Sequence, residues 1–227
     1  MNLAELAPVI AVSYLIGAIP TGYIAGRALK GIDIREHGSG ATGATNVLRT
    51  LGMRSFLLVL VADALKGYIP VLATWYVAEP HVGSDTAHGL QVAAGAAAIV
   101  GHDWPLYIGW RGGKGVATSY GAMAGLLFPL GLGLVVLAIL LVLTFRYMSL
   151  MSVVTIPVGS AILVGLALAD RAPLAYAAFG LLATLLVLFR HRDNIRRLLA
   201  GQEPKIGQGG RQRGRRSPQR VRPSHRM

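Results

Sequence analysis

The feature that most restricts this chain is a series of apolar stretches, several of them about 20 residues long, separated by short polar segments. A helix rises 1.5 Å per residue, so about 20 apolar residues match the ~30 Å hydrocarbon core of a bilayer. Of the 227 residues 53% are hydrophobic and 14% charged, and the mean hydropathy is +0.53, too little charge for a soluble domain. One helical membrane domain accommodates every apolar stretch. Hydropathy places spans near residues 4–26, 55–77, 89–106, 114–128, 130–146, 150–169 and 173–190. The expected fold is therefore all-α, a polytopic membrane helical bundle of about seven transmembrane helices. Residues 1–8 lack a basic leader region and the first apolar run continues to Gly26, so it is kept as the first span.

The fourth run is short. Gly121, Gly125, Pro129, Gly131 and Gly133 make the stretch after Lys114 either one long kinked helix or two helices with a tight turn. Charge distribution favours two. Arg27, Lys30, Arg35, Arg49 and Arg54 follow the first span, while only Glu5 lies beside the terminus before it, so the positive-inside bias puts the N-terminus outside. Seven spans then bring Arg111, Lys114, Arg146 and the basic C-terminus inside, and leave Glu79, Asp85, Asp170 and Arg171 outside. A five-span topology, with 114–145 as one helix, would strand Arg146 outside.

The formal net charge of +12 does not indicate a nucleic-acid binder, because much of it is concentrated at one end. Residues 1–207 form the expected membrane domain. Residues 208–227 form a Gly/Arg/Gln/Ser/Pro tail with almost nothing to bury, read as disordered and held near anionic lipid. The absence of cysteine excludes disulfides, thiolate metal sites and a cysteine nucleophile. No metal or cofactor is expected.

Three polar segments interrupt the apolar chain, and the expected topology brings all three to the inner face. The first, Gly38 to Gly52, combines glycines with Ser39, Thr42, Thr45, Asn46 and Arg49, which suits an anion cradle at a helix start. Its match to G-x-G-x-x-G is a chance one, since no βαβ unit surrounds it and Asp63, at the expected distance, falls in an apolar span. The second runs from Gly101 to Thr118. Gly112, Gly113 and Gly115 around Lys114 can present backbone N–H groups and an ammonium to phosphate, although Ile108 and Gly115 stand where a Walker loop needs Gly and Ser/Thr. Trp104, Tyr107 and Trp110 read as interfacial anchors, and His102 with Asp103 as structural. The third, Phe189 to Gly207, sets His191 and Asn194 three residues apart on one helix face; Glu203 is read as an ion-pair anchor for the basic residues around it.

Two further groups lie nearby. Arg146, Ser149 and Ser152 are spaced by three, which would put a cation and two hydroxyls on one helix face. Asp63 and Lys66 are also three apart inside the second span, where ionisable groups are costly unless paired or wet.

Together these segments resemble the signature segments of the bacterial acyl-phosphate:glycerol-3-phosphate acyltransferase family. The likeness runs from about Ser13 to Gly207 and includes SYLIGAIPTGY, DALKG and HRDNIRRLLAGQEPKIG. It implies a multi-pass enzyme of the bacterial inner membrane, active site facing the cytoplasm, that moves a fatty acyl group from acyl phosphate to glycerol 3-phosphate, giving 1-acyl-glycerol 3-phosphate and phosphate. It points to Ser39, Arg49, Lys114, His191 and Asn194 as catalytic, and Asn46, Gly112, Gly113, Gly115, Arg146, Ser149 and Ser152 complete the expected substrate-binding set. Ala41 stands where the family usually has asparagine, leaving that contact to Thr42 or Asn46, or unmade.

The rival acyltransferase chemistry, a histidine with an aspartate five residues later, is absent: the fifth residues after His37, His81, His88, His102 and His191 are Thr42, Thr86, Ala93, Tyr107 and Arg196. The alternative from another class is a transporter or channel for phosphorylated small anions, which would extend polar residues into the outer half of the spans. Here the outer ends are mostly Ala, Leu, Val and Gly.

Overall fold

The structure, a computed structural model, describes residues 3–208, so the expected disordered tail lies outside the described residues apart from its first position. Helices α1 (Leu3–Ala18) and α2 (Thr21–Lys30) share the first apolar run. Pro20 divides them, because it offers no N–H and disfavours helical backbone at Ile19. A loop with a short 3-10 turn at Ile34–Glu36 leads to α3 (Ala44–Leu51). Next come α4 (Met53–Val82) and α5 (Ser84–Asp103), a loop over 104–115, and α6 (Val116–Leu126). The chain ends with α7 (Phe128–Phe145), α8 (Met148–Leu168), α9 (Leu174–Arg190) and α10 (Arg192–Leu199). Among the described residues no strand occurs.

The stretch after Lys114 forms two helices. Leu127 is extended (φ −149°), and Pro129, in the first turn of α7, meets no carbonyl it would have to bond. The exterior is apolar: Leu57, Leu58, Val61, Leu65 and Ile69 of α4, and Leu132, Val136, Ile139, Leu140 and Leu143 of α7, all point outward. Such a continuous surface is at home in lipid, not water. By length and composition four segments can cross a membrane: Ala7–Lys30, Met53–Val82, Phe128–Phe145 and Met148–Leu168. Helices α9 and α10 would together make a fifth, but a 66° bend separates them.

Helices α5 and α6 miss that standard, α6 because it has only 11 residues and α5, 20 residues long, because it is too polar. Each sits among other helices, α5 against α1, α4 and α9, and α6 against α4, α7 and α8. Residues Thr118 to Met123 of α6 are all buried, and a helix shielded by protein need not be apolar enough for lipid.

Backbone-to-backbone approach fastens these central helices. A Cβ on Gly67 of α4 would lie 2.0 Å from the Thr118 carbonyl oxygen of α6, and one on Gly121 of α6 would lie 1.8 Å from that of Ala64. Helices α1 and α5 repeat the device, with Gly17 against Ala98 and Gly101 against Tyr14. Above these crossings the core closes around Phe179, Met123, Ile156 and Leu163.

A buried polar node joins α2, α4 and α5. Asp63 and Lys66, 1% and 5% exposed, pair at 2.7 Å, and Thr21 binds both, donating to Asp63 at 2.5 Å and accepting from Lys66 at 3.1 Å. His102 Nδ1 stands 3.6 Å from the same carboxylate oxygen.

Gly67→Ala is expected to cost about 1–3 kcal/mol through helix separation, whereas Gly133→Ala, whose added methyl meets nothing within 4 Å, should be neutral. Thermal melting of the detergent-solubilised variants checks this. Equal melting temperatures would show that α4 and α6 part without cost.

Candidate active site

The three polar segments meet in one cavity at one end of the bundle. Its wall takes Ser39, Ala41, Asn46 and Arg49 from the first segment, Lys114 and Gly115 from the second, and His191, Asn194 and Glu203 from the third. Helix α8 adds Ser149 and Ser152. An apolar limb continues from this polar mouth, lined by Phe56 and Leu60 of α4, Val116, Ala117 and Tyr120 of α6, and Met148 and Met151 of α8. Helix α6 packs extensively on α4 and lightly on α8, and the three helices together line the limb.

Asn46 holds the first segment together from inside. Its Nδ2 donates to the carbonyls of Ile34, His37 and Ala41 at 2.8–3.0 Å, and its Oδ1 accepts from the Ser39 N–H at 2.9 Å. The amide is 1% exposed and fully engaged, so Asn46 shapes the cavity wall and has no bond left to replace the asparagine missing at 41. Thr42 is buried and its N–H reaches Gly112 O at 3.4 Å, outside the cavity lining. The methyl of Ala41 faces the cavity alone.

The 104–115 loop is held from several sides. Arg35 forks onto Asp33, Nε to Oδ1 at 3.0 Å and Nη2 to Oδ2 at 2.7 Å, while its Nη1 donates to Ile108 O at 2.6 Å. The Arg35 guanidinium holds the Asp33 carboxyl down to about 2, against the opposing effect of burial. Gly112 and Gly113 lie behind the cavity, not on its wall: a Cβ on either would strike His102, at its carbonyl oxygen or at Nε2. Gly115 has φ +69°, a backbone that L side chains rarely adopt, and from it α6 starts.

Lys114 is thereby turned to the cavity, and its ammonium donates to Asn194 Oδ1. Lying in the loop outside the helices, it is lowered by burial to about 8, with Arg197, Arg190 and Arg49 adding to the shift and Glu203 opposing it. Asn194 Nδ2 donates onward to Glu203 Oε1 at 2.7 Å, and Arg197 Nε bonds Glu203 Oε2 at 2.7 Å. Burial pushes the Glu203 carboxyl up, but the groups donating to it, Asn194 and Arg197 among them, reverse the shift and leave it lowered. Ser149 lies near enough to favour that carboxylate, yet its hydroxyl makes no hydrogen bond of good geometry, so it counts as free.

His191 sits at the bend between α9 and α10. Its Nδ1 lies 2.8 Å from Val187 O. A carbonyl only accepts, so Nδ1 carries the proton and Nε2 of the neutral ring is left as an acceptor.

Arg146 departs from expectation. Helix α8 begins only at Met148, and Arg146 has φ +64° as the cap of α7, so its side chain does not continue the Ser149–Ser152 face. Its Nη2 instead donates to Ile206 O at 3.2 Å, and its carbonyl accepts from Ile206 N at 2.8 Å, which fastens the segment after α10. Conversely, Asp63, His102 and Glu203 reach the cavity wall although the sequence reading gave them structural places or left them undecided. The one available signal was Asp63, a charge within an apolar run.

An all-helical bundle with an apolar girdle and a polar cavity at one end defines an integral membrane protein. A family model described as glycerol-3-phosphate acyltransferase matches residues 7–201. The glycerol-3-phosphate acyltransferase of Parasynechococcus marenigrum is 48% identical over 199 residues, covering 88% of this chain and 89% of that one. The protein of the same name from Gloeobacter violaceus is 44% identical over 207 residues, covering 91% and 98%. The crystal structure of PlsY (YgiH), an integral membrane glycerol 3-phosphate acyltransferase, in its glycerol 3-phosphate form superposes with a TM-score of 0.79 at 34% identity, covering 89% of this chain and 96% of that one. Its lysophosphatidic acid form gives 0.77 at 33% identity, with 91% and 97% covered. The chain belongs to the glycerol-3-phosphate acyltransferase family.

Proposed function

We propose that this protein transfers a fatty acyl group from acyl phosphate to glycerol 3-phosphate, in a bacterial inner membrane with its cavity open to the cytoplasm. The single observation that carries the reading is one cavity holding a cation-rimmed mouth and an apolar limb. A small dianion and a long hydrocarbon chain would meet there. Relatives named for the activity and a solved relative in glycerol 3-phosphate and lysophosphatidic acid forms support it. The transporter alternative has no such support, since these relatives are named as acyltransferases.

We assign the donor phosphate to the Ser39–Arg49 side and the acyl chain to the limb between Phe56, Leu60 and Met151. Glycerol 3-phosphate occupies the Lys114 side with Ser149 and Ser152. The acceptor hydroxyl attacks the acyl carbonyl; Ser39 and Asn194 steady the oxyanion, the acyl–oxygen bond to phosphate breaks, and phosphate leaves. The hydroxyl proton passes to His191 Nε2, or to a substrate phosphate that His191 orients, since a phosphate ester has its second pKa at about 6. Because the donor is a mixed anhydride with a good leaving group, positioning and charge neutralisation supply much of the acceleration. The same reading takes seven crossings, with α5 and α6 as protein-shielded spans, the N-terminus outside and the C-terminus inside.

Purified protein should turn over acyl phosphate with glycerol 3-phosphate and ignore acyl-CoA, and Lys114→Ala or Arg49→Ala should each lower kcat/KM by roughly 100-fold or more. Equal turnover in both variants would refute the assignment. The KM for glycerol 3-phosphate should rise as pH passes upward through about 8, where unliganded Lys114 gives up its charge; Lys114→Arg should flatten that dependence. Ala41→Asn, which restores an amide to the cavity wall, should raise kcat/KM by about 3- to 10-fold; a loss would show the methyl to be accommodated by this chain's own geometry.

A further inference from the structure

Arg190 is the last residue of α9 and does not line the cavity, yet it reaches the loop that carries Lys114. Its Nε and Nη2 both donate to the carbonyl of Gly113, at 3.1 and 2.5 Å. The guanidinium lies 5.2 Å from the centre of the Trp104 ring, and Nε is 3.9 Å from Asp103 Oδ2. Asp103 is 0% exposed, and neither of its carboxylate oxygens has a hydrogen-bond partner among the described residues. Among the described residues Arg190 is the cation in ion-pair range of that carboxyl, at the outer limit of the range. The guanidinium thus lies beside an aromatic ring with its Nε–Nη2 edge turned to the Gly113 carbonyl, and the Asp103 carboxyl stands near the same Nε.

We propose that Arg190 is a positioning residue: by its two hydrogen bonds to the Gly113 carbonyl it fixes the glycine loop so that Lys114 faces the acceptor side of the cavity. Gly113 is held by both its backbone groups, its N–H donating to His102 O at 3.0 Å and its carbonyl receiving Arg190. Lys114 is the next residue, and its ammonium meets Asn194, four residues beyond Arg190. The guanidinium therefore locks two segments 77 positions apart into the register that this contact requires. A planar fork does this where a single ammonium would hold less firmly. A loop displaced by 1 Å would cost the reaction heavily even though no substrate group has been touched.

The inference rests on the proposed function, and its test separates the two. In the full-length detergent-solubilised protein, Arg190→Gln should raise the KM for glycerol 3-phosphate about tenfold while the KM for acyl phosphate stays within about twofold. Arg190→Lys should recover most of that loss. Hydrogen exchange at the Gly113 and Lys114 amides should quicken in Arg190→Gln, with the rest of the bundle unchanged. If Arg190→Gln does not fold, Arg190→Lys decides alone: a rise of about threefold confined to the glycerol 3-phosphate KM supports the clamp, and none overturns it. Both KM values rising together, unchanged kinetics in Arg190→Gln, or no benefit from lysine over glutamine would each overturn it as well. Wild-type protein that fails to turn over these substrates would refute the proposed reaction instead, and exchange at the two amides would still decide the clamp.

Discussion

The direct contact of two helix backbones, α4 with α6, is the constraint on which the rest of the molecule depends. Gly67 and Gly121 let each backbone settle against a carbonyl of the other, at Thr118 and Ala64. In lipid no hydrophobic gain drives helices together, so close van der Waals packing must do it. From this crossing α6 runs back to the Lys114 loop and α4 back to Asp63, Leu60 and Phe56. Any change in the spacing of the pair would alter the cavity between phosphate-facing and hydrocarbon-facing walls.

Charge is distributed by a consistent logic. Cations that face the cavity stand at its mouth, where a dianionic ligand can neutralise them. Those placed behind the mouth already have partners: Lys66 with Asp63, Arg35 with Asp33, Arg190 with the Gly113 carbonyl. Burying an unpaired charge costs several kcal/mol, so the pairing lets the scaffold keep strong donors near the site without competing for substrate.

Much of this was legible in the sequence. Continuous apolar runs gave the helical membrane bundle; glycine and proline marked a possible break after Lys114, and charge distribution favoured two helices there, as α6 and α7 are. The three polar segments could be expected to meet, and Ser39, Arg49, Lys114, His191 and Asn194 do share one cavity. Local spacing misled where backbone geometry changed: Arg146 belongs to a left-handed cap, so its distance of three from Ser149 implies no common face. Asn46 offers an amide in sequence but has spent it on its own loop. The bonds from Arg35 to Ile108 and from Arg190 to Gly113 span more than 70 residues, beyond the reach of any periodicity. Helix α5 was harder to delimit for the opposite reason, since a helix wrapped by neighbours can carry Gln91, His102 and Asp103 inward.

The apolar limb has a consequence for how material moves. On the proposed assignment the alkyl tail lies between α4 and α8; an opening between those helices would admit it sideways from the leaflet, with no end-on threading. On the same assignment the water-soluble reactant enters at the polar mouth, so the two would not compete for one doorway. Throughput would then depend on two-dimensional wandering of an amphiphile among its neighbours, and a stiffer, more ordered bilayer would slow the protein without altering a single residue.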